Sequence, residues 1–372
     1  MGARLGAGRR KGNALAAKDD PVAAMEITSV AEALEWHAAH CDRSDSPITA
    51  RVIRSLLAVM ETDTVSGRRL KSWAGQGIED ALALRVTGGL HFLCLTGEDK
   101  RLEPVFAGLV TDQAQVDAIV CAAVEQCDYV LLPWFDGPPQ TNEAGRSANI
   151  MAALLWLSSR LGPKFELTEI GASAGINTMM DRYFYDLGGT TAGPAGSPMR
   201  IAPEWRGYAP PQAEVEITEI AGCDIAPVDL TDPAQAQRLK AYIWADAQQR
   251  MARMDTAIAM ASETPPNLVQ MDAAEFVRQR LARTQQEGVT RVLFHTIMWQ
   301  YLPQETRDAI RTMMAEAGAR ATTDRPLAWI RVETNRETFR HELTVKYWPG
   351  GEEVLELGEA HPHAAWVKWQ GA

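Results

Sequence analysis

The stretch Phe165-Glu-Leu-Thr-Glu-Ile-Gly-Ala-Ser-Ala-Gly-Ile-Asn177 constrains this chain more than any other. Phe165 and Leu167 alternate with polar neighbours, and Ile170 follows Glu169, the pattern of a buried strand. Gly171 and Gly175 end it, and Ile176, Met180 and Phe184 then recur at helical spacing. Strand, tight glycine turn and helix make the ligand crevice of an open α/β sheet. There the backbone comes close to the ligand and a helix N-terminus favours negative charge. The same letters satisfy Gly-x-Ser-x-Gly, the nucleophile elbow of serine hydrolases.

The chain changes character at this point. From Ile27 to about Leu161 the apolar spacing is helical: Ile27, Val30 and Leu34 form one stripe, and Val52, Ile53, Leu56, Leu57 and Met60 another. Ser46-Pro47 reads as an N-cap followed by proline at the first helical position. From Phe165 onward strands alternate with helices, which predicts a parallel sheet covered on both faces. Val215–Ile220, Leu268–Met271, Arg291–Met298 and Leu327–Val332 are the later strands. Helices are expected over Gln235–Ala261, broken once, and over Gln304–Ala317 with Gly318 as the stop. Glu342–Trp348 and Val354–Leu357 around Pro349-Gly-Gly351 read as a hairpin, extended by Ala365–Trp369. The organisation expected is a disordered leader over 1–25 and a helical subdomain or lid over 26–162. A Rossmann-like domain over 163–372 follows, with a Gly/Pro-rich insertion at 188–212. Met25 is a plausible start, since the amphipathic pattern begins there.

Composition narrows the partners. A net charge of −11 argues against nucleic acid, whose phosphates need concentrated Lys and Arg. The five cysteines show no Cys-x-x-Cys pair and no zinc spacing, and His361-Pro-His363 lacks a third ligand, so no metal is expected. Reduced thiols, no apolar run long enough for a bilayer and no signal-peptide pattern suggest a cytoplasmic protein acting on a small molecule. Oligomeric state is not legible.

A dinucleotide fingerprint needs Gly-x-Gly-x-x-Gly, and here Ser173 and Ile176 stand at the second and third glycine positions. An S-adenosylmethionine site needs less. Glu169 would pair with the ammonium of the methionine moiety, while Gly171, Ala172, Ser173, Gly175 and Asn177 lie against the ligand. Asp224, after the second strand, is placed for the ribose hydroxyls. Asp272 and Ala273, after the third, are placed for the adenine. His295 and Tyr301, around the end of the fourth, occupy the acceptor-facing slot, and Glu143 and Arg146 are expected to close over the crevice. The hydrolase reading instead needs Ser173, then an acid and a histidine such as His341, His361 or His363, but no His-Gly-Gly stretch precedes Phe165. A third reading is a ligand-binding protein without catalysis.

The segments Gln140–Arg146, Glu169–Asn177 running into Asp181–Tyr185, Cys223–Pro233, Phe294-His-Thr and Tyr301-Leu-Pro303 together resemble an uncharacterised bacterial family, domain of unknown function 2332. The resemblance runs from about Glu32 to Trp369. It implies a methyltransferase-like α/β domain behind a helical region, and it implies no established reaction. Ser173 and His295 stand where methyltransferases usually carry Gly and Asp or Asn.

Overall fold

The computed structural model describes residues 29–371 apart from Gln76 and Glu79. The expected leader and Ile27 fall outside the described residues. Six helices come first: α1 (Val30–Arg43), α2 (Pro47–Val59), α3 (Val65–Lys71), α4 (Leu82–Leu95), α5 (Glu103–Phe106) and α6 (Gln113–Leu131). Their apolar stripes meet in one core that includes Leu34, Ile53, Leu56, Leu90 and Val120. Ser46 precedes α2 as expected but does not cap it with its side chain. The free N–H groups of Ile48 and Thr49 bond instead to Asp246, both at 2.9 Å, and the Thr49 hydroxyl adds a third bond at 2.7 Å. Asp128 of α6 likewise accepts from Val65 and Ser66 at the start of α3. Carboxylates distant in sequence thus satisfy helix N-termini that local residues leave open.

Helix α7 (Ser147–Leu161) leads into strand β1 (Lys164–Ile170). The expected helix after the glycine turn is absent. Asn177–Arg182 is a short 3-10 turn, and Phe184 lies in strand β2 (Phe184–Leu187). The reason is a competing period of two: Tyr183, Tyr185 and Leu187 are all buried, the alternation of a strand. The insertion carries β3 (Thr190–Ala192) and β4 (Arg200–Ile201), which flank β2 in a small sheet, and then β5 (Glu204–Arg206). The alternation resumes with β6 (Glu216–Asp224), α8 (Pro233–Ala241), α9 (Gln248–Glu263), β7 (Leu268–Gln270), α10 (Ala273–Ala282), β8 (Val289–Thr296), α11 (Gln304–Ala319) and β9 (Leu327–Thr334). The chain closes with β10 (His341–Trp348), β11 (Gly351–Ala360) and β12 (Trp366–Trp369). Gly318 is not the stop of α11. It lies inside the last turn against Trp348, where a Cβ would sit 2.5 Å from the indole.

The main sheet has nine strands in the order β5-β12-β11-β10-β9-β8-β1-β6-β7. Strands β7, β6, β1, β8 and β9 run parallel, and β10, β11 and β12 add an antiparallel meander. The parallel part is a Rossmann-like arrangement in which β1 is the switch point: the chain moves to β6 on one side and later to β8 on the other. Alternation along β1 divides the core. Phe165 and Leu167 face α7 and the small sheet, while Ile170 faces α10 and α11. Glu166 and Thr168 share the second face, where Arg280 of α10 bonds both, and Arg291 joins Glu166.

Candidate functional site

The glycine turn is built by three left-handed residues, Gly171 (φ +65°), Ser173 (φ +54°) and Gly175 (φ +71°). Ser173 is the one with a Cβ, a conformation a side chain adopts at a cost. Neighbouring strands hold the turn in place. Ala172 N–H donates to Cys223 O (2.9 Å), and Ser173 N–H donates to Asp224 Oδ2 (2.8 Å). Asp224 Oδ1 accepts from Ala226 N–H (2.9 Å), so the carboxylate expected at the ribose also pins the turn to the end of β6. The Ser173 hydroxyl is buried and without a hydrogen-bond partner, so no histidine lies within reach of it. Asp272 caps α10 through the N–H groups of Ala274 and Glu275, and Ala273 is buried in its first turn.

The segment before α7 closes on this turn. Asn142 Oδ1 accepts from Ile176 N–H at 3.0 Å, and Gln140 donates to Ala226 O. Glu143, expected over the crevice, is engaged elsewhere. It pairs with Arg250 of α9 at 2.5 Å, both nearly buried. Tyr301 is 75% exposed. Arg146 is buried, its Nε donates to Pro362 O at 2.8 Å, and among the described residues it has no ion-pair partner. Burial pushes its pKa down, with Glu143 opposing. A buried guanidinium without a paired carboxylate is costly unless something else satisfies it.

Glu169, 1% exposed, lies near the carboxyl end of β1 on the α7 face. Its Oε1 accepts from Asn177 Nδ2 at 3.1 Å, and its Oε2 is buried without a partner. Burial raises its pKa from 4.5 to about 8, against the opposing pull of Asn177 and Arg146. Asn177 Oδ1 and Asn149 Oδ1 are also buried and unpartnered. Glu169 Oε2 and Asn177 Oδ1 are thus two unsatisfied oxygens on bonded side chains, with the Arg146 charge acting on the first.

On the other side of Asp224, a cavity of about 550 Å³ is lined by Gln140, Asp224, Ile225, Val228, Arg238 and Tyr242. Ile225 projects there, 70% exposed. Another cavity, of about 590 Å³, opens at the amino ends of β1 and β6, around Pro163 and Glu216, away from the turn. His295, at the end of β8, is fully buried on the opposite face of the sheet from Glu169, and its Nδ1 lies 2.6 Å from Glu333 Oε1.

Sequence reasoning missed Asn149, Ile225, Arg250 and Glu333. Glu333 had a signal, since it alternates with Trp329 and Arg331 on the strand beside His295. Arg250 had none. Among the described residues no three His, Cys, Asp or Glu side chains gather as a metal site, and no helix is long and apolar enough to cross a membrane.

Fold and site together define a mixed α/β protein with a glycine turn at the switch point of a largely parallel sheet. The sequence matches the profile of domain of unknown function 2332, described as an uncharacterised protein conserved in bacteria, over residues 31–369, and the chain belongs to that family. No curated protein and no solved structure matches it.

Proposed function

We propose that this protein binds S-adenosylmethionine at the carboxyl edge of the parallel strands and transfers its methyl group to a small molecule. The observation that carries the reading is a pair of buried, unpartnered oxygens beside the glycine turn, Glu169 Oε2 and Asn177 Oδ1, with the Arg146 guanidinium near enough to act on Glu169. An amino acid end bears one ammonium and one carboxylate. Glu169, giving up its proton as the ammonium arrives, and Asn177 offer oxygens to the first, and Arg146 offers a forked donor to the second. Farther out, Asp224 keeps lone pairs for ribose hydroxyls, and exposed Ile225 supplies an apolar face for a flat base. The cofactor supplies a methyl group on a sulfonium, and the protein's task is to hold donor and acceptor in line and exclude water. The closed segment from Gln140 to Arg146 serves that exclusion.

The test is titration calorimetry with S-adenosylmethionine, S-adenosylhomocysteine and 5′-methylthioadenosine, which lacks the amino acid end. The first two should bind, and the third should bind at least about tenfold more weakly for want of the charged contacts. Arg146→Met should narrow that gap, and Ile225→Asp, at an exposed position, should weaken all three. No heat with any of the three, on folded protein, would overturn the assignment.

A further inference from the structure

A second unused arrangement lies at the end of β8, on the α11 face. Glu333 accepts from the backbone N–H groups of Met298 (3.2 Å) and Trp299 (3.3 Å) and meets His295 Nδ1 at 2.6 Å. With two donors already on it, the carboxylate is the acceptor and Nδ1 carries the proton. In the neutral ring this tautomer leaves a lone pair on Nε2. His295 is fully buried, and its Nε2 has no partner. Trp329, 6.0 Å away between ring centroids and inclined at 62°, is 5% exposed, and its Nε1–H is also buried and unpartnered.

One acceptor and one donor are thus unsatisfied in the same aromatic cluster. A carboxylate brings no proton for Nε2, and an ammonium brings no lone pair for the indole N–H. A hydroxyl does both. The surroundings are flat: Trp299 stacks on the imidazole at 4.9 Å and 14°, and it meets Trp329 edge-on at 5.6 Å. Arg311 and Arg331 lie over the two indoles and hold these walls. The arrangement also adjoins the glycine turn, because Met298, in the loop leaving β8, packs where a Cβ on Gly171 would be 2.6 Å from its methyl carbon.

We propose that His295 and Trp329 recognise the hydroxyl of a planar, phenol-like acceptor, with His295 as the general base and Glu333 as its positioning residue. The use as a methyl acceptor rests on the proposed function, but the hydroxyl recognition does not. In that use His295 Nε2 would take the hydroxyl proton, and a bound sulfonium donor would supply the methyl group to the oxygen and leave as the neutral thioether.

The test needs no cofactor. The full chain is titrated with phenol and with anisole, its O-methylated counterpart, followed by tryptophan fluorescence, and the imidazole tautomer is read by ¹⁵N NMR. Phenol should saturate at one site, anisole should bind at least about tenfold more weakly, and His295 should show an Nδ1–H and a bare Nε2. Glu333→Gln should weaken phenol while leaving anisole unchanged, whereas a purely structural loss would weaken both. His295→Gln should abolish the preference for phenol. Absence of saturable phenol binding, equal affinity for anisole, or an Nε2–H tautomer would each overturn the proposal. The cofactor calorimetry fails or succeeds separately.

Discussion

Replacing Glu169 by glutamine tests the electrostatics of the site without any ligand. The carboxyl is 1% exposed, and burial raises its pKa from 4.5 to about 8. The folded chain therefore keeps this proton up to about pH 8, while the unfolded chain releases it near 4.5. Between those values the folded state binds more protons, so the carboxyl makes stability fall as pH rises, and the fall levels off above about 8. At about 1.4 kcal/mol per pH unit, the ceiling across this window is roughly 5 kcal/mol. The glutamine side chain keeps the acceptor for Asn177 and cannot ionise. Glu169→Gln should therefore match the parent near pH 4.5 and become progressively more stable than it toward pH 8. Even half the ceiling, about 2.5 kcal/mol, is resolved by urea denaturation followed through tryptophan fluorescence at about pH 5 to 9. A difference between the two proteins that stays constant over that range would show that Glu169 is ionised when folded, and the reasoning from burial would be refuted.

Two further outcomes follow from contacts remote from the crevice. Asp246→Ala removes three hydrogen bonds at the start of α2 and should lower stability by about 1–2 kcal/mol in denaturant titrations, with the loss centred on the helical region in hydrogen exchange. Glu166→Leu leaves Arg280 and Arg291 without their shared buried carboxylate and should cost about 3–5 kcal/mol, whereas Arg278→Ala, on an exposed pair of α10, should change stability by less than about 0.5 kcal/mol.

The sheet was legible where its pattern was long and unopposed. Strands β8 and β9 carry apolar runs, β1 alternates apolar and polar residues up to its glycine turn, and the hairpin between β10 and β11 is marked by Pro349-Gly-Gly351. The turn after β1 misled because Met180 and Phe184 fit a helix while Tyr183, Tyr185 and Leu187 fit a strand, and packing against the small sheet decided for the strand. Within the site, the glycines, Glu169 and His295 stood out through their place at strand ends. The state of Arg146 did not, since arginine is ordinarily exposed and here it is buried with its Nε on a carbonyl of the loop before β12. The partners of Arg146 and His295 come from β9 and the loop before β12, at sequence distances over which no local period extends.

The edge strand β5 has a consequence for how the chain is made. It belongs to the insertion that precedes β6, yet its sheet neighbour is β12, the last strand of the main sheet to be synthesised. A ribosome therefore releases β5 long before its partner leaves the exit tunnel. Until then, the insertion has its small sheet but an open flank, and the meander cannot be sealed. Completion of the nine-stranded sheet must await the emergence of β12, and a nascent chain stalled before Trp366 should expose β5 and the preceding loop to protease, while the parallel strands around β1 are already protected.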